Sequence, residues 1–599
     1  MTTTLGWTIS EWLNAYRNQH ISARELLHSL RNSLDAKDSA WIYICSANEL
    51  DAQLDALEAR PETFSLPLYG VPYVVKDNID VANIPTTAAC PTFTYVPASD
   101  ATTIAKLRAA GAIVLAKTNL DQFATGLVGT RSPYGSVSNS FKAEYVSGGS
   151  SSGSATSVAR GLVPFSLGTD TAGSGRIPAG FNNIVGLKPT KGRFSTRGVL
   201  PACRSLDCVS VMALTVDDAE LIAKILEGFD AADSYSRTPS IHSSYFSGKP
   251  RFGIPSSPDW FGDSESEAAW KLTLDNMSAL NVELISIDFT PMFTLAQLLY
   301  GGPWVAERHA AIANFMEEHA NDMNDVVRGI IEKAENFSAT DAFIAEYKRA
   351  DLAREIQTLM QSVDALLVPT SPRLPTINEV NADPIAVNSQ LGTYTNFVNL
   401  ADCSALALPS VMRADGLPFG ITLIAPAWQD AALIKFGKMW QANTDLNLGA
   451  TNRKAPTIFT KSIAPEGYVR LAVVGAHLMG MPLNTQLIER KALFVESTFT
   501  ASNYRLFALP NTTPPKPGLI RGEENSSGAE IIVELWDLPL QNFGSFVALI
   551  PAPLGIGTLK LHDGREVKGF ICEGTAVKEA TDITHLGGWR AYITSLQKQ

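Results

Sequence analysis

Histidine is scarce in this chain. There are eight in 599 residues, and none lies near the serine-bearing turn "GTDTAGSGR" (168–176), whose nearest histidines on either side are His28 and His242. A serine hydroxyl is a weak nucleophile until a base takes its proton, and the usual base is an imidazole. Either Ser174 is only a turn residue or a different base serves it. Cysteine is also sparse: Cys45, Cys90, Cys203, Cys208, Cys403 and Cys572 are scattered and form no CxxC pair. That spacing argues against a zinc site and fits a reducing compartment. The adjacent Cys203 and Cys208 are expected to be core or loop thiols. Basic charge is in deficit, with a net charge of −12, which argues against nucleic acid or an anionic membrane as the main partner. No apolar run approaches membrane-spanning length. The opening "MTTTLGWTISEWLNAYRNQH" lacks the basic and continuously apolar segments of a secretory signal. The expectation is a cytoplasmic protein.

What is present is enough for more than one core. With 599 residues, 45% hydrophobic and 18% charged, the chain is expected to form two or more globular domains. Thr8 with Glu11 and Ser22 with Glu25 have capping-box spacing before apolar residues at helical intervals. "YGVPYVVKDN" (69–78) and "AIVLAK" (112–117) have the valine and isoleucine content of buried strands, with a helix over 102–111 between them. A Gly/Ser loop, a small-residue helix and the strand "LVPFSLGTD" follow. This alternation predicts an α/β domain with a parallel or mixed central sheet, whose functional groups lie in loops at strand ends. The stretch 262–362 is predicted helical, 365–372 a strand, and 405–426 a strand pair turning at "ADG". The apolar rhythm fails over 446–467, which is assigned as a linker. The domains are therefore 1–445 and a smaller α+β or β-rich domain over 468–599.

Three polar features stand against these strands. Lys76 ends the run "YVVK", Ser150, Ser151 and Ser152 lie in "GGSSSG", and Ser174 lies in "DTAGSGR". Each has an ordinary structural reading, a solvated lysine or a flexible connector. "GSSSG" also matches a nucleophile elbow around Ser151, but that motif needs a strand directly before it, and "NSFKAEYVSG" does not read as one.

Together, "GVPYVVKDNID", "GGSSSGSA" and "SLGTDTAGSGRIPAGFNNIVGLKPTKG" resemble the amidase signature family of serine hydrolases, in order and spacing, over roughly 65–430. The resemblance implies an α/β fold with a central mixed sheet covered by helices. It also implies a Ser–cisSer–Lys triad with Ser174 as nucleophile, Ser150 as bridging serine in a cis peptide and Lys76 as base. A lysine can serve as base only if burial lowers its pKa from about 10.4. The family's oxyanion hole maps onto the backbone N–H groups of Thr171, Ala172, Gly173 and Ser174. Asp170 and Arg176 are expected to hold that loop by ion pairing. No metal or organic cofactor is implied.

"NLDQFATGLVGTRSPYG" (119–135) and "LLYGGPWVAERHAAI" (298–312) resemble the allophanate hydrolase branch of the family. That resemblance implies that Tyr300 and Arg308 hold a substrate carboxylate and that Gly126 lines the pocket. The alternative for Arg308 is an ion pair with Glu307 or another acid. "VVGAHLMGMPLN", "YRLFALPNTTPPKPGLIR" and "IIVELWDLPL" resemble the extra C-terminal domain of that branch, which is similar to the γ-glutamylcyclotransferase fold. His477 matches a histidine implicated there in decarboxylation, with a satisfied loop histidine as the alternative. Leu478, Met479 and Met481 beside it suggest a partner surface. The resemblance further implies a homodimer acting on allophanate. No biotin-carboxylase segment is present, so a urea carboxylase is expected as a separate chain acting upstream. Two rivals remain: the glutaminase subunit of a tRNA-dependent amidotransferase, and an amidase-fold protein serving chiefly in assembly.

Overall fold

Apolar runs bounded by glycine and polar turns form the strands of a first unit, residues 1–242 and 246–456. In chain order these are Trp41–Ile44 (β1), Pro72–Lys76 (β2), Ile113–Thr118 (β3), Phe165–Asp170 (β4), Val185–Lys188 (β5), Cys208–Ala213 (β6), Arg251–Pro255 (β7), Glu283–Ile287 (β8), Ala365–Pro369 (β9), Cys403–Met412 (β10) and Pro418–Pro426 (β11). The computed structural model describes residues 4–596 apart from 19–20, 61–65, 240–245, 247–248, 457–463, 465–466, 524–527 and 563.

All eleven strands join one sheet in the order β1-β3-β2-β4-β6-β5-β10-β11-β9-β7-β8. It is mixed, as expected. β2 lies parallel to both β3 and β4, whereas β4, β6, β5, β10, β11 and β9 pair successively antiparallel. Helices Ser152–Ala159, Arg176–Phe181, Val216–Leu226 and Asp430–Ala442 pack on the sheet. Valine, leucine and isoleucine on both faces of β2, β3 and β4 are fully buried, as strands covered on both sides require.

Each capping-box pair forms one of its two reciprocal backbone bonds: Glu11 Oε2 accepts from the Thr8 N–H at 2.8 Å, and Ser22 Oγ accepts from the Glu25 N–H at 3.4 Å. Two expectations are corrected. The stretch 262–362 is not wholly helical, because β8 pairs parallel with β7 inside it. β8 is a five-residue edge strand, mostly half-buried or exposed, so it shows no apolar run. The expected linker 446–467 begins as part of the first unit. Leu448 is buried, the Ala450 N–H donates to the Ala159 carbonyl at 2.7 Å, and Asn183 Nδ2 donates to the carbonyls of Asn447 and Gly449. Its residues 457–463 and 465–466 lie outside the described residues.

The second unit comprises 457–599 with 243–245. Its strands are Tyr468–Val473 (β12), Leu493–Phe499 (β13), Tyr504–Ala508 (β14), Pro517–Arg521 (β15), Ile532–Pro539 (β16), Leu554–Lys560 (β17), Glu566–Cys572 (β18) and Thr581–Asp582 (β19). They form a five-stranded sheet, β13-β16-β12-β18-β17, and a three-stranded one, β15-β14-β19. Helices Leu540–Val547 and Trp589–Leu596 complete an α+β unit around its own core of Leu471, Val473, Leu506, Val533, Leu535 and Phe546. Among the described residues no helix is long and apolar enough to cross a membrane.

Candidate active site

Parallel pairing of β2 and β4 aligns Val75 with Leu167, so Lys76 and Thr169 emerge together at the carboxyl ends of neighbouring strands. Lys76 is wholly buried, amine included. Its Nζ lies 2.7 Å from Ser150 Oγ and 2.7 Å from Thr169 Oγ1. Burial pushes the amine down to about 7, against the upward pull of Asp121, Asp207 and Asp170; Arg308 adds a smaller push downward. An uncharged amine in that position can donate to Thr169 and still accept the Ser150 proton.

The peptide joining Gly149 to Ser150 is cis. The next serine is not a nucleophile: Ser151 Oγ donates to the Thr169 carbonyl at 3.1 Å and accepts from its N–H at 3.3 Å. Ser151 N–H donates to the Ser174 carbonyl at 3.3 Å, which holds the two serine loops together. Ser174 is buried in the turn after β4, and its Oγ makes no hydrogen bond to any described residue. The Lys76–Ser150 link is therefore formed and the Ser150–Ser174 link is open. Catalytic hydrogen bonds commonly close only around substrate.

The loop itself is held as expected. Arg176 grips Asp170 with two parallel bonds of 2.9 Å, both side chains fully buried. Burial alone would raise the Asp170 pKa; the Arg176 charge and hydrogen bonds hold it below the usual carboxylate range. The oxyanion expectation needs one correction. Gly173 N–H donates to Asp170 Oδ1 at 2.9 Å and is thus occupied. The N–H groups of Thr171, Ala172 and Ser174 donate to no described residue. Thr171 Oγ1 donates to Asp207, whose carboxylate burial pushes up to about 6. Asp207 also lines a cavity of about 380 Å³ with Arg204, Ser205, Trp304 and Lys191.

Arg308 is buried on the helix Trp304–His319. It makes no ion pair with Glu307, which instead accepts from the Ser205 N–H and hydroxyl at 2.6 and 2.8 Å. Arg308 Nη1 donates to Thr125 Oγ1 at 2.9 Å, and its guanidinium lies 5.3 Å from the Tyr300 ring centroid. The structure thus brings Tyr300 and Arg308 together. Gly126 has a packing reason of its own. A Cβ there would fall 2.6 Å from Asp121 Oδ2, and one on Gly149 would fall 2.0 Å from the same atom. Asp121 accepts from the N–H groups of Val128, Gly129 and Arg131 at 3.0–3.1 Å, while its own N–H donates to the Ser150 carbonyl at 3.2 Å. Asp121 therefore ties its loop, which holds Arg308 through Thr125, to Ser150, by its carboxylate on one side and its backbone N–H on the other. Sequence reasoning missed Thr169 and Asp121; the signal for Thr169 was its place at the end of a strand pairing with the one that ends at Lys76.

In the second unit, His477 Nε2 lies 3.0 Å from Gln486 Oε1, and its ring stacks on Phe570 and meets Phe546 edge-on. Burial lowers its pKa, and Lys516 lowers it further against the Gln486 hydrogen bond. It lines a cavity of about 180 Å³ with Gln486, Lys516 and Pro514. Of the neighbouring apolar residues, Leu478 is buried in the core, and Met479 and Met481 are half-buried and pack against it. Cys203 and Cys208 are buried thiols, as expected.

Residues 25–434 match the family model for amidases, and residues 469–594 match that for the allophanate hydrolase C-terminal domain. The crystallised Kluyveromyces lactis allophanate hydrolase is 44% identical and superposes with a TM-score of 0.80, covering 99% of this chain and 100% of that one. The urea amidolyase of Saccharomyces cerevisiae is 46% identical over the full length of this chain. The chain spans about a third, 34%, of the length of the urea amidolyases it matches. A glutamyl-tRNA(Gln) amidotransferase component from Methylacidiphilum infernorum is 32% identical, covering 69% of this chain and 88% of the relative.

Proposed function

The chain belongs to the amidase family and carries an allophanate hydrolase C-terminal domain, and from that premise we propose that it hydrolyses allophanate, urea-1-carboxylate, to ammonia and carbon dioxide. Ser174 Oγ attacks the terminal amide carbonyl while Ser150 accepts its proton and passes its own to neutral Lys76. Charge on the carbonyl oxygen is met by the unoccupied N–H groups of Thr171 and Ala172, with Ser174 N–H beside them. Collapse of the tetrahedral species returns the proton to the departing nitrogen, and ammonia leaves. Water then cleaves the acyl-enzyme along the same proton path and releases N-carboxycarbamate. That product takes up a proton and loses carbon dioxide to give carbamate, and carbamate does the same again, so all the nitrogen ends as ammonia and all the carbon as carbon dioxide.

The observation that carries the choice of substrate is Arg308. Its guanidinium is buried, has no carboxylate within ion-pair range among the described residues, and lies close enough to Lys76 to influence its proton. A planar cation fork of this kind suits a carboxylate one bond from the reacting urea group. His477, with its ring fixed by Gln486, is assigned to the decarboxylation step in the second unit. The chain is further proposed to act as a cytoplasmic homodimer downstream of a urea carboxylase. The similarity to the amidotransferase component favours a glutaminase as second reading, but residues 469–594 have no role in it.

The test is ammonia release by the purified chain from allophanate and from glutamine, without tRNA or a partner. Rapid release from allophanate alone, abolished by Ser174→Ala, is expected. Turnover of glutamine with allophanate untouched would replace this reading with the glutaminase one.

A further inference from the structure

Two buried guanidiniums meet at Thr125. Arg308 Nη1 donates to its hydroxyl at 2.9 Å and Arg131 Nη1 donates to its carbonyl at 3.0 Å. Arg131 Nη2 donates to the Pro384 carbonyl at 2.6 Å, and Arg308 Nη1 also reaches the Ala124 carbonyl at 3.4 Å. In both residues Nε is sealed from solvent with no partner among the described residues. Neither side chain has a described carboxylate within ion-pair range. The field of Asp121 reaches Arg131, but the carboxylate oxygens of Asp121 are already bonded to the loop N–H groups of Val128, Gly129 and Arg131.

Carbonyl dipoles would satisfy any donor at position 131, and a neutral amide could fill that role without a charge to bury. A cation removed from water needs a counter-charge. Two such cations on one residue leave positive charge in excess beside Thr125, next to Tyr300. Burial works against the charge on Arg131, and so does Arg308, against the opposing pull of Asp121 and Tyr300.

We propose that Arg131 is a positioning and specificity residue for a carboxylate-bearing amide. It pins Thr125, and through the Thr125 hydroxyl the fork of Arg308, and it supplies the second positive charge that makes the pocket prefer an anion. The inference rests on the reading of allophanate as substrate.

The experiment uses the full chain and its Arg131→Gln and Arg131→Lys variants. They are assayed on allophanate and on malonamate and malonamide, a charged and a neutral amide of equal length. Thermal melting checks that each variant folds. Arg131→Gln is expected to raise KM for allophanate and malonamate by about tenfold or more, the loss typical of a charged hydrogen-bonding partner. Its kcat/KM for malonamide should stay within about twofold. Arg131→Lys, which keeps the charge and loses the fork, should recover part of the preference. An unchanged malonamate-to-malonamide ratio in Arg131→Gln, or an equal fall on both amides, would overturn the inference and leave Arg131 a carbonyl clamp. If Arg131→Gln does not fold, Arg131→Lys decides: a raised KM with the preference retained supports the inference, and equal loss on both amides overturns it. A wild-type chain with no preference for the anion would overturn the allophanate reading and this inference with it. A wild-type preference carried intact into Arg131→Gln overturns the inference alone.

Discussion

Lys76 titrates where a solvated lysine would not, because its ammonium would sit in a dry pocket facing two hydroxyls. With the amine lowered to about 7, kcat/KM for allophanate should climb with pH through that value and level off above it. Replacing Lys76 by methionine should lower turnover by about 10²- to 10⁴-fold, the usual span for a general base. The same change should stabilise the fold. The folded pKa lies below the unfolded one, so between about 7 and the ordinary lysine value the unfolded chain holds a proton that the folded chain has lost. The native state is thus penalised progressively as pH falls across that window, and Lys76→Met should raise Tm more at pH 7 than at pH 10. Thr169→Val removes an acceptor that favours the charged amine, so the acid limb of the rate profile should move to lower pH. A limb that stayed in place would remove Thr169 from the proton path.

The loop 121–131 and the serine loop behave as one element because Asp121 bonds into both. Its carboxylate occupies the space that a side chain at position 126 or 149 would need. Gly149→Ala and Gly126→Ala should each destabilise the fold by roughly the 1–3 kcal/mol of an overpacked core, read as a lower melting temperature. Both should cut turnover of charged and neutral amides alike, since the serine bridge moves with the loop. Activity assays beside calorimetry separate this from the selective loss expected at Arg131. The strands that end at Lys76 and Asp170 were legible as apolar runs closed by a polar residue. Asp121 was not: an aspartate in "NLDQ" resembles any surface turn until the chain folds three N–H groups around it.

The proposed triad and both proposed anchor residues fall between 76 and 308, inside one unit with its own core. His477 and its cavity fall inside the other. A chain ending at residue 456 should therefore still release the first ammonia from allophanate. The intact chain should release two equivalents without delay, and the truncated chain should release the second only as fast as N-carboxycarbamate decays in solution. A coupled assay reading ammonia against carbon dioxide distinguishes them, and equal second-phase rates would remove the second unit from the chemistry. The end at 456 matters, because residues 447–450 bond to the first unit although their composition reads as linker.

Residue order alone determined the α/β alternation, the capped helices and the spacing of the lysine and two serines, since periodicity and turn chemistry are local properties. It also supplied Tyr300 and Arg308 through motif resemblance. Only tertiary structure decided that Lys76 is dry, that Thr169 shares its amine, that Gly173 N–H is already taken by Asp170, and that Arg131 and Arg308 converge on Thr125. Each of these depends on which strand lies beside which and on how much water packing excludes, and neither is written in any short stretch of chain.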